Sequence, residues 1–148
     1  MLDGLFVTPA VLAITEALAS AKAEGKLAVV GHAKLARALA AKAEVIPIGL
    51  SARAAKKLPG TLPDLSTLEL GSLAAVIGIE IATIDTWSET LLAWSRVVRD
   101  GGAIVFVDRG HAAEASRRAL CAGLTELEQR HAGRTVITSG LVTHLGTD

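Results

Sequence analysis

The stretch at residues 27–40, LAVVGHAKLARALA, constrains the fold more than any other part of the chain. Four apolar residues are followed by Gly31, and a helical pattern begins immediately after this glycine. A continuous apolar run is typical of a buried strand, and a glycine between a strand and a helix permits a tight turn. The stretch therefore predicts a strand, a turn and a helix, the unit from which parallel α/β sheets are built.

The sequence repeats this alternation of strand and helix along most of its length. Thr8-Pro9 provides a cap and a first-turn proline for a helix that precedes the first strand. Pro47 places the second strand near a sheet edge or gives it an irregularity, because proline cannot donate to the ladder. After the last helix, alternating polarity at 125–133 and 134–145 predicts an antiparallel strand pair. The predicted strands before that pair are residues 26–30, 44–49, 73–80 and 103–108, and the later helices are 33–42, 51–57, 86–99 and 111–122.

The composition favours one domain without a membrane span or a nucleic-acid face. With 148 residues and 51% hydrophobic content, the chain can bury one core, yet it lacks roughly 18 consecutive uncharged apolar residues. Its 15 Lys+Arg balance 15 Asp+Glu and aromatics are only 3%, which argues against nucleic-acid binding. Zero net charge leaves self-association open. The single Cys121 excludes an internal disulfide and favours a cytoplasmic location.

Polar residues near the predicted strand ends are the candidates for chemistry. Glu80 could serve as a general base if it is partly buried, and a solvated strand end is the alternative. Asp108 and His111 follow the next strand, where Asp108 could hold a metal or cap the helix. The four histidines share no ligand spacing, so no metal site is predicted. Trp87 and Trp94 lie seven residues apart on one helix side, either in the core or on a partner surface.

Residues 91–108, LLAWSRVVRDGGAIVFVD, combine a helix, a break at Asp100-Gly101-Gly102 and an apolar strand. This segment resembles the corresponding one in class I S-adenosylmethionine-dependent methyltransferases. Residues 71–80 are similar to the fourth strand of that family, and residues 63–70 to the stretch that brings an acid to the adenine. The resemblance implies a three-layer Rossmann-like α/β fold in one domain, residues 1–148. Its sheet would be mostly parallel with a C-terminal antiparallel pair, and the helix within residues 1–25 would cover the sheet or the site.

The same resemblance implies a cofactor site, from which this sequence departs. Gly31 takes the place of the first glycine in the family's acid-x-Gly-x-Gly-x-Gly loop, Val29 replaces the acid, and about two residues are missing. Gly49 stands where the family has its ribose-binding acid. The third strand and its helix are compressed between residues 58 and 70, where Asp64 alone matches a cofactor contact. If binding is retained, the implied cofactor residues are Gly31, Asp64 and Glu80; otherwise Gly31 only permits the turn.

These departures lead to two functional expectations. The first is a non-catalytic methyltransferase-like module, a pseudoenzyme that serves as a protein-interaction or scaffold domain. It would bind a protein partner or a second copy, without S-adenosylmethionine and without catalytic or metal-binding residues. The alternative is an active S-adenosylmethionine-dependent methyltransferase with a deviant site. We favour the first, because a lost carboxylate removes charge-assisted hydrogen bonds worth about 1.5–3 kcal/mol.

Overall fold

The computed structural model describes residues 4–144, in which helices and strands alternate as the sequence predicts. Most predicted bounds hold to within a few residues, as expected for patterns whose ends fray. The elements are α1 Gly4–Ser20, β1 Leu27–Val30, α2 Ala33–Ala40, β2 Val45–Ile48, α3 Ala52–Ala55, β3 Leu73–Ile79, α4 Trp87–Val97, β4 Val98–Arg109, α5 Ala112–Cys121, β5 Thr125–Ala132 and β6 Thr135–Leu141.

The strands form one six-stranded sheet in the order β2-β1-β3-β4-β6-β5. The pairs β1–β2, β1–β3 and β3–β4 are parallel, whereas β4–β6 and β5–β6 are antiparallel. The predicted fold class, a mostly parallel α/β sheet with a C-terminal antiparallel pair, is therefore confirmed. The four parallel strands end at the same edge, which we call the carboxyl edge, and ligands of α/β sheets bind at such an edge.

Helices cover both faces of the sheet and produce three layers. On one face, residues of α1 and α2 such as Ile14 and Leu35 join a core cluster with strand residues that include Ile77. On the other face, α4 and α5 share a second cluster with strand residues that include Phe106. The helix α1 therefore lies on the sheet, in contact with α2, β5 and β6.

The approach of α4 to the sheet is set by Gly78 in β3. A Cβ atom at this position would overlap the indole ring of Trp94, with Cζ2 at 2.6 Å. Trp94 is 4% exposed, so the interior alternative for this tryptophan is correct, whereas Trp87 is half-buried. The absence of a side chain at Gly78 therefore permits α4 to pack close to β3.

Two predicted details are wrong. The helix α1 includes Gly4 and continues through Pro9, so Thr8-Pro9 does not begin it. Pro9 lies beyond the first turn, where a proline removes one backbone hydrogen bond of the helix. Asp100-Gly101-Gly102 lies within β4 and not between helix and strand. The register there shifts from Leu73↔Val98 to Ala75↔Ala103, so these residues form a bulge.

The compressed segment between residues 58 and 70 leaves a single trace of a further strand. Leu62 forms one parallel bridge with Ile48, in which the Gly49 N–H donates to the Leu62 carbonyl at 2.9 Å. The strand β2, which contains Pro47, therefore lies at the end of the regular sheet, as predicted. The helix layer beside α4 stays open over β1 and β2 as a result.

Candidate functional site

The carboxyl edge brings several predicted site residues near one another. Gly31 follows β1, Gly49 follows β2, Glu80 follows β3, and Asp108 is the penultimate residue of β4. Parallel strands in register place these positions in a row along the edge. The row includes Gly31, which lies in the shortened turn, and Gly49, which stands in place of the ribose-binding acid.

A groove of about 500 Å³ opens at the β1–β2 end of this edge. The ends of the two strands form its floor, and it runs between the segment that replaces the third strand and the outer side of α4. Leu70 on its rim is 69% exposed. The groove is defined by Val30, Ile48, Gly49, Pro63, Asp64, Leu65, Ser66, Leu68, Leu70, Thr90, Ala93, Trp94, Arg96 and Val97.

Of the three residues that the resemblance implies for a cofactor, only Asp64 lines the groove. Its Oδ1 accepts hydrogen bonds from the N–H and the hydroxyl of Ser66, which lower the pKa of the Asp64 carboxyl. Asp64 is therefore an exposed carboxylate held in a local turn. Gly31 and Glu80 lie on the same edge but outside the lining of this groove.

The turn at Gly31 is too short to form a loop around a ligand. It consists of Gly31 and His32 alone, with Gly31 at φ +78° and its N–H donating to the Ile48 carbonyl at 2.8 Å. The Leu35 N–H donates to His32 Nδ1 at 3.0 Å, so this imidazole caps α2. Burial lowers the pKa of His32, which suits an acceptor nitrogen. Two of the N–H groups at this turn, those of Gly31 and Leu35, are therefore already used within the chain.

Glu80 and Asp108 lie side by side at the ends of β3 and β4. Glu80 is exposed at φ +62°, and its N–H donates to the Val107 carbonyl at 2.9 Å. Asp108 is 3% exposed, its Oδ1 accepts the Ala82 N–H at 2.9 Å, and its Oδ2 has no partner among the described residues. Burial raises the pKa of Asp108, and the Ala82 N–H opposes that rise. The Asp108 side chain thus binds the loop that follows β3. The alternative that it caps α5 is wrong.

Arg118 fixes the loop between β3 and α4, and sequence reasoning missed it. Its Nη1 donates to the carbonyls of Ile81 at 2.6 Å and Ile84 at 2.8 Å, while its Nε pairs with Glu114 at 2.6 Å. The guanidinium also lies 5.2 Å from the ring centre of Trp87. The available signal was the spacing of Glu114 and Arg118, four residues apart on one helix.

Solved structures share this architecture. A chain of the complex between the Haloferax volcanii Trm112 methyltransferase activator and a candidate methyltransferase superposes with a TM-score of 0.70 at 16% identity, over 91% of this chain and 90% of that one. A SAM-dependent methyltransferase from Thermotoga maritima gives a TM-score of 0.66 at 15% identity, over 93% and 92%. The chain has the class I methyltransferase fold. The resemblance found in the sequence is confirmed at this level.

Larger proteins with the methyltransferase fold also match. The T. thermophilus 16S rRNA N2 G1207 methyltransferase, solved with AdoMet and guanosine, gives a TM-score of 0.59 at 16% identity, over 81% of this chain and 36% of that one. No protein-family model and no curated protein matches the sequence. Sequence identities this low show a shared methyltransferase fold and nothing about activity. The chemistry of this chain therefore has to be argued from its own residues.

Two further findings bear on the sequence-based expectations. Within residues 4–144, no helix is both long and apolar enough to cross a membrane. In the same part of the chain, no group of three or more His, Cys, Asp or Glu side chains is placed so that it could hold a metal ion.

Proposed function

We propose that this chain is a non-catalytic methyltransferase-fold module that works through protein interaction and without S-adenosylmethionine. The observation that carries the proposal concerns the residues at the β1–β2 end of the carboxyl edge, where the resemblance implied a cofactor. The residues there offer no ribose carboxylate, and the turn after β1 uses its own hydrogen-bonding groups. The donor set does not fit the cofactor, so we assign it no step in a reaction.

The ribose position supports the proposal most directly. Gly49 ends β2 without a side chain, and its N–H is engaged with Leu62. A ribose diol bound beside it would lose charge-assisted hydrogen bonds worth about 1.5–3 kcal/mol, a factor of roughly ten or more in affinity. Asp64 also lines the groove, but its Oδ1 is engaged with Ser66, from which it accepts two hydrogen bonds.

The methionine end supports it independently. The Gly31 N–H is bonded to Ile48, and His32 closes the first turn of α2. The N–H groups at a helix start would otherwise be available to an anionic ligand group. Two separate losses in one site multiply in affinity, since their free energies add.

The groove provides the surface for a partner. Leu70, which lines the groove, is 69% exposed, and Leu92 of α4, outside that lining, is 66% exposed. Exposed apolar side chains of this kind are what a partner protein or a ligand would cover. One structural neighbour was solved in complex with an activator protein, which suits a partner-dependent role for a chain of this fold.

Calorimetry and thermal unfolding with S-adenosylmethionine and S-adenosylhomocysteine test the proposal. We expect neither compound to raise the unfolding temperature at millimolar concentration. Saturable binding would overturn the proposal, because ligand at 100 times its Kd stabilises a protein by about 2.7 kcal/mol. An intact methyltransferase serves as the positive control for both compounds.

The variant Gly49→Asp separates the two losses. Aspartate tolerates the left-handed conformation of Gly49, φ +69°, better than most residues. We expect Gly49→Asp to leave the protein unable to bind the cofactor, because the turn at Gly31 is unchanged. Binding restored by this single change would show that only the ribose contact had been lost.

The second candidate is an active S-adenosylmethionine-dependent methyltransferase with a deviant site, and the open groove of about 500 Å³ favours it. Cavities of this size accommodate small organic ligands. On this hypothesis Asp64 would contact the adenosine, so Asp64→Asn would weaken cofactor binding while Ser66→Ala would have a smaller effect.

A further inference from the structure

A second cavity, of about 480 Å³, lies at the opposite end of the carboxyl edge. Its lining includes two arginines, Arg109 and Arg134, and two histidines, His111 and His131, and we call it the cationic cavity after the arginines. The sheet register brings these residues together. Arg109 of β4 pairs with Thr135 of β6, and the Gly110 N–H donates to the Arg134 carbonyl at 3.0 Å. No residue of the cationic cavity lines the groove over β1 and β2.

The two arginines in this cavity carry uncompensated charge. Neither Arg109 nor Arg134 makes a side-chain hydrogen bond or an ion pair with any residue in the described range 4–144. Acidic groups in neighbouring elements are engaged elsewhere, Glu114 with Arg117 and Arg118, and Glu128 with Arg130. A guanidinium is always protonated, so the cavity retains two positive charges at any physiological pH.

The carboxyl group of Asp108 does not neutralise these charges. Asp108 precedes Arg109 in β4, but its side chain is buried and bonded to the Ala82 N–H. Burial also raises the pKa of Asp108, which works against its ionised form. The start of α5 adds to the positive potential, because Ala112 lines the cavity and the N-cap residue His111 makes no side-chain cap.

We propose that the cationic cavity binds the phosphoryl group of a small phosphomonoester. Two guanidinium groups match a dianion, and their planar fork suits the oxygens of a phosphate in bidentate contact. The volume exceeds the needs of inorganic phosphate alone, so part of an attached organic group lies within the cavity as well. A polynucleotide is the less suitable ligand, because the chain has zero net charge and only 3% aromatic residues for stacking on bases.

Calorimetric titration of the full chain tests the site with defined probes. The probes are inorganic phosphate, ribose 5-phosphate and adenosine 5′-monophosphate, with ribose and adenosine as uncharged matches and an oligothymidylate as the polyanion. We expect saturable binding of the two monoesters that weakens as salt is added, and none of the uncharged compounds. The result does not depend on the cofactor test, because the two sites share no lining residue.

Three variants assign the binding to this cavity. We expect Arg109→Gln and Arg134→Gln each to weaken monoester binding about tenfold or more. The control Arg37→Gln removes an exposed charge from α2 and should leave the Kd unchanged. Unchanged unfolding temperatures would show that all three proteins fold.

Three results would overturn this proposal. The first is that neither monoester binds saturably at millimolar concentration. The others are that Arg37→Gln weakens monoester binding as much as the cavity variants do, or that a protein with both cavity substitutions binds the monoesters as well as wild type. Tight binding of the oligothymidylate without binding of the monoesters would also contradict it, since that result would indicate a nucleic-acid face.

Discussion

The two cavities at the carboxyl edge differ in what their walls offer a ligand. The groove over β1 and β2 presents mainly apolar side chains, with a carboxylate at Asp64 and a guanidinium at Arg96. The cationic cavity over β4 and β6 presents two arginines and two histidines. Asp64 and Gly49, two of the positions at which the resemblance implied cofactor contacts, line the groove, whereas Gly31 and Glu80 lie outside it. The resemblance thus predicts which strand ends meet at the edge better than it predicts the lining of a cavity.

The largest expected effect on stability concerns the contact between Gly78 in β3 and Trp94 in α4. Gly78→Ala would place a methyl group against the ring of Trp94, whose surroundings are packed and whose indole cannot shorten. We expect the free energy of unfolding to fall by about 3 kcal/mol, at the upper end of overpacking costs. Urea denaturation measures this loss.

Two further variants identify the cause of that loss. Gly60→Ala meets no atom within 4 Å, so its left-handed φ of +83° should cost only about 1 kcal/mol. Adding Trp94→Leu to Gly78→Ala should recover part of the stability. Equal losses for Gly78→Ala and Gly60→Ala would mean that contact with the ring is not the cause.

The next effect concerns the loop that lies between the two cavities. Arg118→Met keeps an apolar stem over Trp87 but removes the hydrogen bonds to Ile81 and Ile84. Leaving two carbonyls without a donor should cost about 2 kcal/mol. Arg117→Met is the matched control, because its ion pair with Glu114 is exposed and surface ion pairs contribute little to stability. Similar midpoints in urea for both variants would contradict the role given to Arg118.

The pH dependence of stability tests the carboxyl beside the cationic cavity. Burial raises the pKa of Asp108 above its ordinary 3.8, so the folded protein holds this proton more tightly than the unfolded chain. Stability is therefore full below the unfolded pKa, falls as the pH rises towards the folded pKa, and is constant above it. Asp108→Asn lacks this titration, so we expect its stability relative to wild type to rise between acidic and neutral pH.

Denaturation midpoints of both proteins across that pH range make the measurement. The profiles should diverge as the pH rises from below 4 towards neutrality. Parallel profiles would mean that Asp108 is solvated in the folded state.

The sequence predicted the sheet well because the signals for buried strands are local. The apolar runs at β1, β3 and β4 and the proline in β2 needed no tertiary information. Asp100-Gly101-Gly102 was misplaced because glycines permit a helix end and a bulge equally, and only pairing with β3 decides between them.

The sites were harder to predict than the fold, because they depend on contacts across long stretches of sequence. The row formed by Gly31, Gly49 and Glu80 follows from strand ends, and the sequence placed it. The hydrogen bond of Asp108 to Ala82 joins residues 26 positions apart, and that of Arg118 to Ile81 joins residues 37 apart. Neither distance has a local sequence signal. The cationic cavity likewise arises from the register of β6 against β4 and β5, which periodicity does not determine.

The smallest expected effect on stability concerns two exposed leucines. The same two variants distinguish the groove most sharply from the rest of the surface. Leu70 on the groove rim and Leu120 on α5 are 69% and 63% exposed, so Leu70→Glu and Leu120→Glu should each change stability by less than about 0.5 kcal/mol. If the groove is the contact face, sedimentation should show that the wild type and Leu120→Glu self-associate as concentration rises, whereas Leu70→Glu keeps the mass of one chain. A glutamate on the rim would have to lose its hydration in the interface, and an equally exposed one on α5 would not. Equal dissociation by both variants would assign self-association to general apolarity and remove the groove from it.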